Sequence, residues 1–188
     1  VRHLRRRAGL PLTARIIDAM SALPGDFEPL IAGDAQAAAR IADLQQALAG
    51  IRHQPSVAVL ESLQPPALCA RVVHAVVAAA GGRPAFDDGD LVHTWDDVLW
   101  VQPEMLVFSL PGRSLDDMIA EFVAVADLPV WRDLPATYLN QIYAADLGAS
   151  PLDAAELLAG LLHPDRRPAP TPERARRVSP LVRVELRL

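Results

Sequence analysis

Apolar and polar positions along the chain are grouped in blocks whose period changes repeatedly. In GDAQAAARIADLQQALAG, Ala37, Ile41, Leu44 and Leu48 recur at helical spacing. Asp34 stands where an N-cap belongs and Gly50 where a helix is closed. A shorter helical piece, TARIIDAMSAL, precedes it and ends at Pro24-Gly25. SVAVL, Ser56 to Leu60, is a short β-branched run that predicts a strand. ESLQPP reads as a loop stiffened by Pro65-Pro66. ALCARVVHAVVAAAGG is apolar nearly all round, which predicts a buried helix stopped by Gly81-Gly82.

The alternation continues through TWDDVLWVQPEMLVFSLPG, Thr94 to Gly112. Thr94 with Asp97 has the spacing of a capping box for WDDVLWVQ, and Pro103 ends that helix. MLVFSL is a continuous apolar run of strand length. Ser114 with Asp117 is a second box, opening LDDMIAEFVAVA. NQIYAA is a weaker strand, after which Ser150, Pro151 and Asp153 start a helix that runs through Leu162. Strands without polar alternation, interleaved with helices, predict an α/β fold: a mostly parallel sheet covered on both faces in three αβα layers. Beyond His163-Pro164 the pattern stops. DRRPAPTPERARR is rich in proline and arginine and predicts an extended, mobile linker. LVRVELRL then alternates strictly, as a strand pairing with a sheet edge or as a sticky tail. The organisation expected is therefore a basic segment and long helix over 1–54, a sheet-containing lobe over 55–165, and a tail over 166–188 with a terminal strand pattern.

Composition narrows the picture. The 188 residues suffice for one domain with a real core, and 51% of them are apolar. There is no lysine, and all 18 basic residues are arginine. The net charge of −5 is unevenly placed: Arg2, Arg5, Arg6 and Arg7 make the start basic, and Arg166, Arg167, Arg174, Arg176 and Arg177 the end. Such ends suit nucleic acid or anionic lipid, but solvated ends are the plainer reading, and no nucleic-acid partner is expected. A single cysteine, Cys69, excludes an internal disulfide. No apolar run approaches the roughly 20 residues that a membrane helix needs. The basic start resembles that of a signal peptide, but Pro11 and Arg15 interrupt AGLPLTARII before an apolar core develops, so no export signal is expected in this chain.

Few residue patterns suggest chemistry. Cys69 and His74, five apart on the predicted helix, lie about 140° apart around its axis and so do not form a nucleophile pair. The five histidines show no metal-binding spacing. Gly81-Gly82 lacks the remainder of a dinucleotide-binding loop, and a phosphate loop with a lysine is ruled out by composition. No metal, cofactor or catalytic set is expected, and the chain reads as a non-enzyme. Asp97 is accounted for by capping, which leaves Asp96, and Trp95 beside it, free to point outward.

In order, SVAVLESLQPP, a helix ending AAAGGRP, TWDDVLWVQPEMLVFSLPG, VWRDLPA, IYAAD and LLAGLLHPD resemble the C-terminal lobe of class III periplasmic-type solute-binding proteins. These are the cobalamin, haem and iron–siderophore binders of ABC importers, and the cobalamin branch is the most similar. The match covers about Ile16 to Asp165, and DAQAAARIADLQQALAG resembles the long helix that joins the two lobes. The resemblance implies that Asp96 matches the surface carboxylate that docks on the membrane permease, one methylene shorter than the usual glutamate. It also implies ligand-facing loops at Leu63, Gln64 and Pro65 and at Pro111, Gly112 and Arg113. The family is normally periplasmic or held at the cell surface.

The chain departs from the family in two places. The N-terminal lobe, half of the ligand cleft, has no counterpart here. The loop after the last strand is shortened to DLGASPLD, with Leu152 where the family has an arginine. The expected function is that of a single solute-binding lobe working with an ABC permease or a separate N-terminal lobe. Its expected ligand is cobalamin, with haem or an iron–siderophore as alternatives. The competing expectation is an interaction module, derived from such a lobe, that forms a homodimer through the former inter-lobe face.

Overall fold

The computed structural model describes residues 35–69, 72–87, 90–148 and 150–180. The helix expected over 13–23, the N-terminal arginines, Asp34 and the alternating segment 181–188 lie outside these residues. The first described element is α1 (Ala35–Leu48), whose Ala38, Ile41, Leu44 and Leu48 form its buried stripe. It is followed by β1 (Ser56–Leu63), β2 (Pro66–Leu68), α2 (Val72–Ala79), β3 (Arg83–Pro84), α3 (Trp95–Trp100) and β4 (Met105–Phe108). Next come α4 (Leu115–Val125), a 3-10 turn over Pro129–Arg132, α5 (Pro135–Tyr138), β5 (Ile142–Ala145), α6 (Pro151–Leu162) and β6 (Ala175–Arg177).

The sheet runs in the order β2-β1-β4-β5-β6, with β3 also paired to β1. β1, β4 and β5 are parallel, in registers that set Leu60 against Phe108 and Leu106 against Ile142. The sheet is thus mostly parallel with antiparallel strands at its edges, as the unalternating strands required. Side chains leave successive strand positions on opposite faces, so each strand feeds two cores. Val57, Val59, Met105, Val107, Tyr143 and Ala145 pack with α1, α2 and α6. Ala58, Leu60, Leu106, Phe108, Ile142 and Ala144 pack with α3, α4 and the segment around Trp131.

Two expectations are corrected here. The apolar run from Ala67 is not helical from its start: β2 folds back from the Gln64-Pro65 turn, whose peptide bond is cis, and pairs with β1, and the described helix is Val72–Ala79. Backbone pairing along the β1 edge wins over helix propensity. Cys69 therefore precedes the helix, where it is partly buried against the core, and the helical angle to His74 does not apply.

The proline- and arginine-rich stretch is not a free linker. Arg167 Nη1 reaches Asp43 Oδ2 at 2.6 Å, and Arg176 Nη1 reaches Asp116 Oδ1 at 2.6 Å. Pro168 lies so close to α6 that a Cβ on Gly160 would stand 2.3 Å from its carbonyl oxygen. The chain then enters the sheet as β6, antiparallel to β5, with Tyr143 opposite Arg177. Proline keeps this backbone extended, but extension here serves docking rather than freedom.

Candidate functional site

Because β1, β4 and β5 run parallel, the loops that leave them lie along one edge of the sheet. In open α/β sheets this carboxyl edge is where ligands bind. After β1, Gln64 and Pro65 are exposed, whereas Leu63, expected in the ligand-facing loop, is instead the last residue of β1 and is 0% exposed, so it offers no surface to a ligand. After β4, Leu110 is buried and Pro111, Gly112 and Arg113 form an exposed turn closed by the Arg113 amide on the Leu110 carbonyl at 3.1 Å. Gly112 has φ 71, which favours glycine at that corner. The structure thus brings Gln64, Pro65, Pro111, Gly112 and Arg113 to one edge.

Neighbouring residues that sequence reasoning passed over hold these loops. Ser109 donates its amide to the Leu60 carbonyl at 2.9 Å, and its Oγ accepts from the Leu147 amide at 3.5 Å. Asp146 donates its amide to the Arg174 carbonyl at 2.9 Å and accepts the Gly148 amide on Oδ1 at 2.9 Å. Arg174 Nη2 in turn meets the Asp146 carbonyl at 3.3 Å. No local pattern signals Arg174, because its place depends on the tail returning to the sheet. Leu152 is buried in the first turn of α6.

Asp96 lies on α3, away from these loops in sequence. Trp95, ahead of it, does not point outward as expected but packs on Trp131, with ring centroids 4.7 Å apart. Val98 is fully buried, which sets the inner face of the helix. Asp96 and Trp100 are four positions apart and share the outer face, where Asp96 is exposed and Trp100 is 87% exposed. Asp97 does what the capping box requires: Oδ2 accepts the Thr94 amide at 2.9 Å and the His93 amide at 3.0 Å, while the Asp97 amide donates to Thr94 Oγ1 at 3.3 Å. Ser114 and Asp117 repeat the motif at the start of α4.

These bonds hold both capping carboxyls below the ordinary aspartate range, Asp97 chiefly through the His93 amide and Asp117 chiefly through the Ser114 hydroxyl. A carboxyl depressed in the folded state adds stability above its unfolded pKa, and that stability is lost as pH falls through the folded value. The amino ends of α3 and α4 are therefore expected to loosen only below about pH 4. Carbon-detected NMR titration of the side-chain carboxyls checks this; midpoints at or above the free-aspartate value would contradict it.

Among the described residues no group of three His, Cys, Asp or Glu side chains is placed to hold a metal ion, and no helix is long and apolar enough to cross a membrane. No family model matches the sequence. No curated protein matches it significantly either. Solved structures do. An ABC transporter substrate-binding protein from Listeria monocytogenes matches with a TM-score of 0.55 at 14% identity, over 68% of this chain and 57% of its own. The fold is that of a periplasmic-binding-protein lobe. A periplasmic haem-binding protein from Pseudomonas aeruginosa matches this lobe with a TM-score of 0.54 at 16% identity, over 82% of this chain and 57% of its own. The periplasmic vitamin B12 binding protein of Vibrio cholerae gives 0.51 at 23% identity, over 68% and 52%. The chain therefore spans about half the length of these proteins, and the likeness is one of fold.

Proposed function

We propose that this chain is a solute-binding lobe of the kind used in ABC import, related to the class III binding proteins. In this reading the carboxyl edge of its sheet forms one wall of a ligand cleft. The observation that carries the reading is the convergence of the exposed Gln64-Pro65 and Pro111-Gly112-Arg113 turns on that edge, in a fold shared with haem- and vitamin B12-binding proteins. The ligand is a cobalamin or another large corrinoid or iron chelate, and cobalamin is the first to test. A second lobe, on another chain or another part of the protein, supplies the facing wall. A single wall covers only part of so large a ligand, so the isolated chain binds it weakly. Asp96, exposed on α3, is the charge offered to a basic pocket of a permease.

Titration of the chain with cyanocobalamin, haemin and a ferric catecholate, followed by absorbance, tests the reading. Saturable binding of at least one is expected, weakened about tenfold or about 1.4 kcal/mol by Arg113→Ala. Asp96→Ala is expected to leave ligand binding unchanged and to weaken permease binding at least tenfold, while Asp97→Ala perturbs the helix start instead. If none of the three ligands binds and the chain sediments as a dimer, the interaction-module reading takes its place.

A further inference from the structure

At the opposite edge of the sheet, where the strands begin, the surface holds a cavity of about 280 Å³. Ile51, Arg52, His53, Leu162, His163 and Arg166 are among the residues that line it. The topology builds it, because the ends of α1 and α6 and the turn after α2 meet here. Gly50 and Gly81 make the bends, with φ 78 and 81. A Cβ on Gly81 would lie 2.9 Å from His163 Nε2 and 2.9 Å from Ile51 Cδ1, so glycine is what admits the imidazole.

His163 is 8% exposed, and its Nε2 lies 3.1 Å from the Gly81 carbonyl oxygen. A carbonyl only accepts, so Nε2 carries the proton, and in the neutral ring Nδ1 is left as an acceptor. His53 is engaged by Glu104, Nε2 to Oε1 at 3.1 Å. Arg166 meets Asp165, which also lines the cavity, through Nε at 3.4 Å, leaving its terminal N–H groups unspent by that pair. Arg52 makes no ion pair or side-chain hydrogen bond among the described residues. Cationic side chains collect naturally at helix carboxyl ends. That tendency does not account for a concavity walled by two arginines and a buried imidazole.

We propose that this cavity is a site for inorganic phosphate, separate from the ligand edge and independent of the transport reading. Arg52 and Arg166 supply charge-assisted hydrogen bonds to its anionic oxygens. Near neutral pH phosphate keeps at least one P–OH, and that hydroxyl donates to His163 Nδ1. Sulfate has the same shape and charge but no proton to give, so the site distinguishes the two.

The test is a titration of the full chain with inorganic phosphate, read by calorimetry and by the imidazole NMR signals of its five histidines. One saturable site is expected, with His163 shifted most and sulfate at least tenfold weaker at matched ionic strength. Arg52→Gln and Arg166→Gln, both at exposed positions, are each expected to weaken phosphate at least tenfold without moving the thermal midpoint. Absence of saturable phosphate binding, equal binding of sulfate, or binding unchanged in both arginine variants overturns the proposal.

Discussion

Replacing Trp131 by alanine is expected to cost about 3–5 kcal/mol of folding stability, the range found when a buried tryptophan is truncated. Trp131 is 2% exposed and sits where three elements of one core layer meet. Its ring lies 4.7 Å from Trp95 of α3 and 5.2 Å, edge-on, from Phe122 of α4. Phe122 in turn stacks on Phe108 of β4 at 5.5 Å. The indole Nε1 donates to the Val125 carbonyl at 2.6 Å, tying the 3-10 turn to the end of α4. Alanine removes the ring and this donor, but the Val125 carbonyl keeps the Leu128 amide at 3.0 Å, so the cavity is the larger cost. Phenylalanine keeps most of the ring and is expected to cost clearly less. Urea denaturation of both variants decides the matter. A loss below about 1 kcal/mol for alanine would mean that the layer repacks and that α3 does not depend on this anchor.

Gly160→Val is expected to cost about 2–3 kcal/mol, in the upper part of the range for overpacking a close contact. The Cβ at this position would stand 2.3 Å from the carbonyl oxygen of Pro168, a backbone atom that cannot swing aside as a side-chain end would. The 168–170 segment must lift off α6. With it goes the support for Arg167 on Asp43 and for the approach to β6, which covers the outer edge of β5. Amide exchange locates the damage: Ala144 and Arg176, opposite one another in the β5–β6 ladder, are expected to lose protection, while Val59 of β1 keeps its own. Unchanged protection at Ala144 would show that the sheet holds β6 without the strap.

The same residues divide what was legible in the chain from what was not. Local pattern and capping chemistry placed most elements within a few residues. The boxes at Thr94/Asp97 and Ser114/Asp117 form as their spacing demands, because both partners of each hydrogen bond lie within one helical turn. The apolar runs at Val57, Met105 and Ile142 become parallel strands because only burial on both faces accommodates them. The turns at Gln64-Pro65 and Pro111-Gly112-Arg113 were legible as loops; that they share an edge followed once the strands were parallel.

Tertiary structure decided the rest. That Ala67 and Leu68 pair with β1 instead of joining a helix depends on an edge supplied by residues before the turn. That the proline-rich tail docks depends on a glycine in α6 and on an aspartate in α1 and another in α4, the two aspartates far away in sequence. The cavity around His163 likewise needs the ends of α1 and α6 and the turn after α2, which no window of neighbouring residues contains. Periodicity and caps are short-range, so a sequence displays them directly. The choice of strand over helix after the turn, the docked strap and the cavity are settled only by the free energy of the assembled fold.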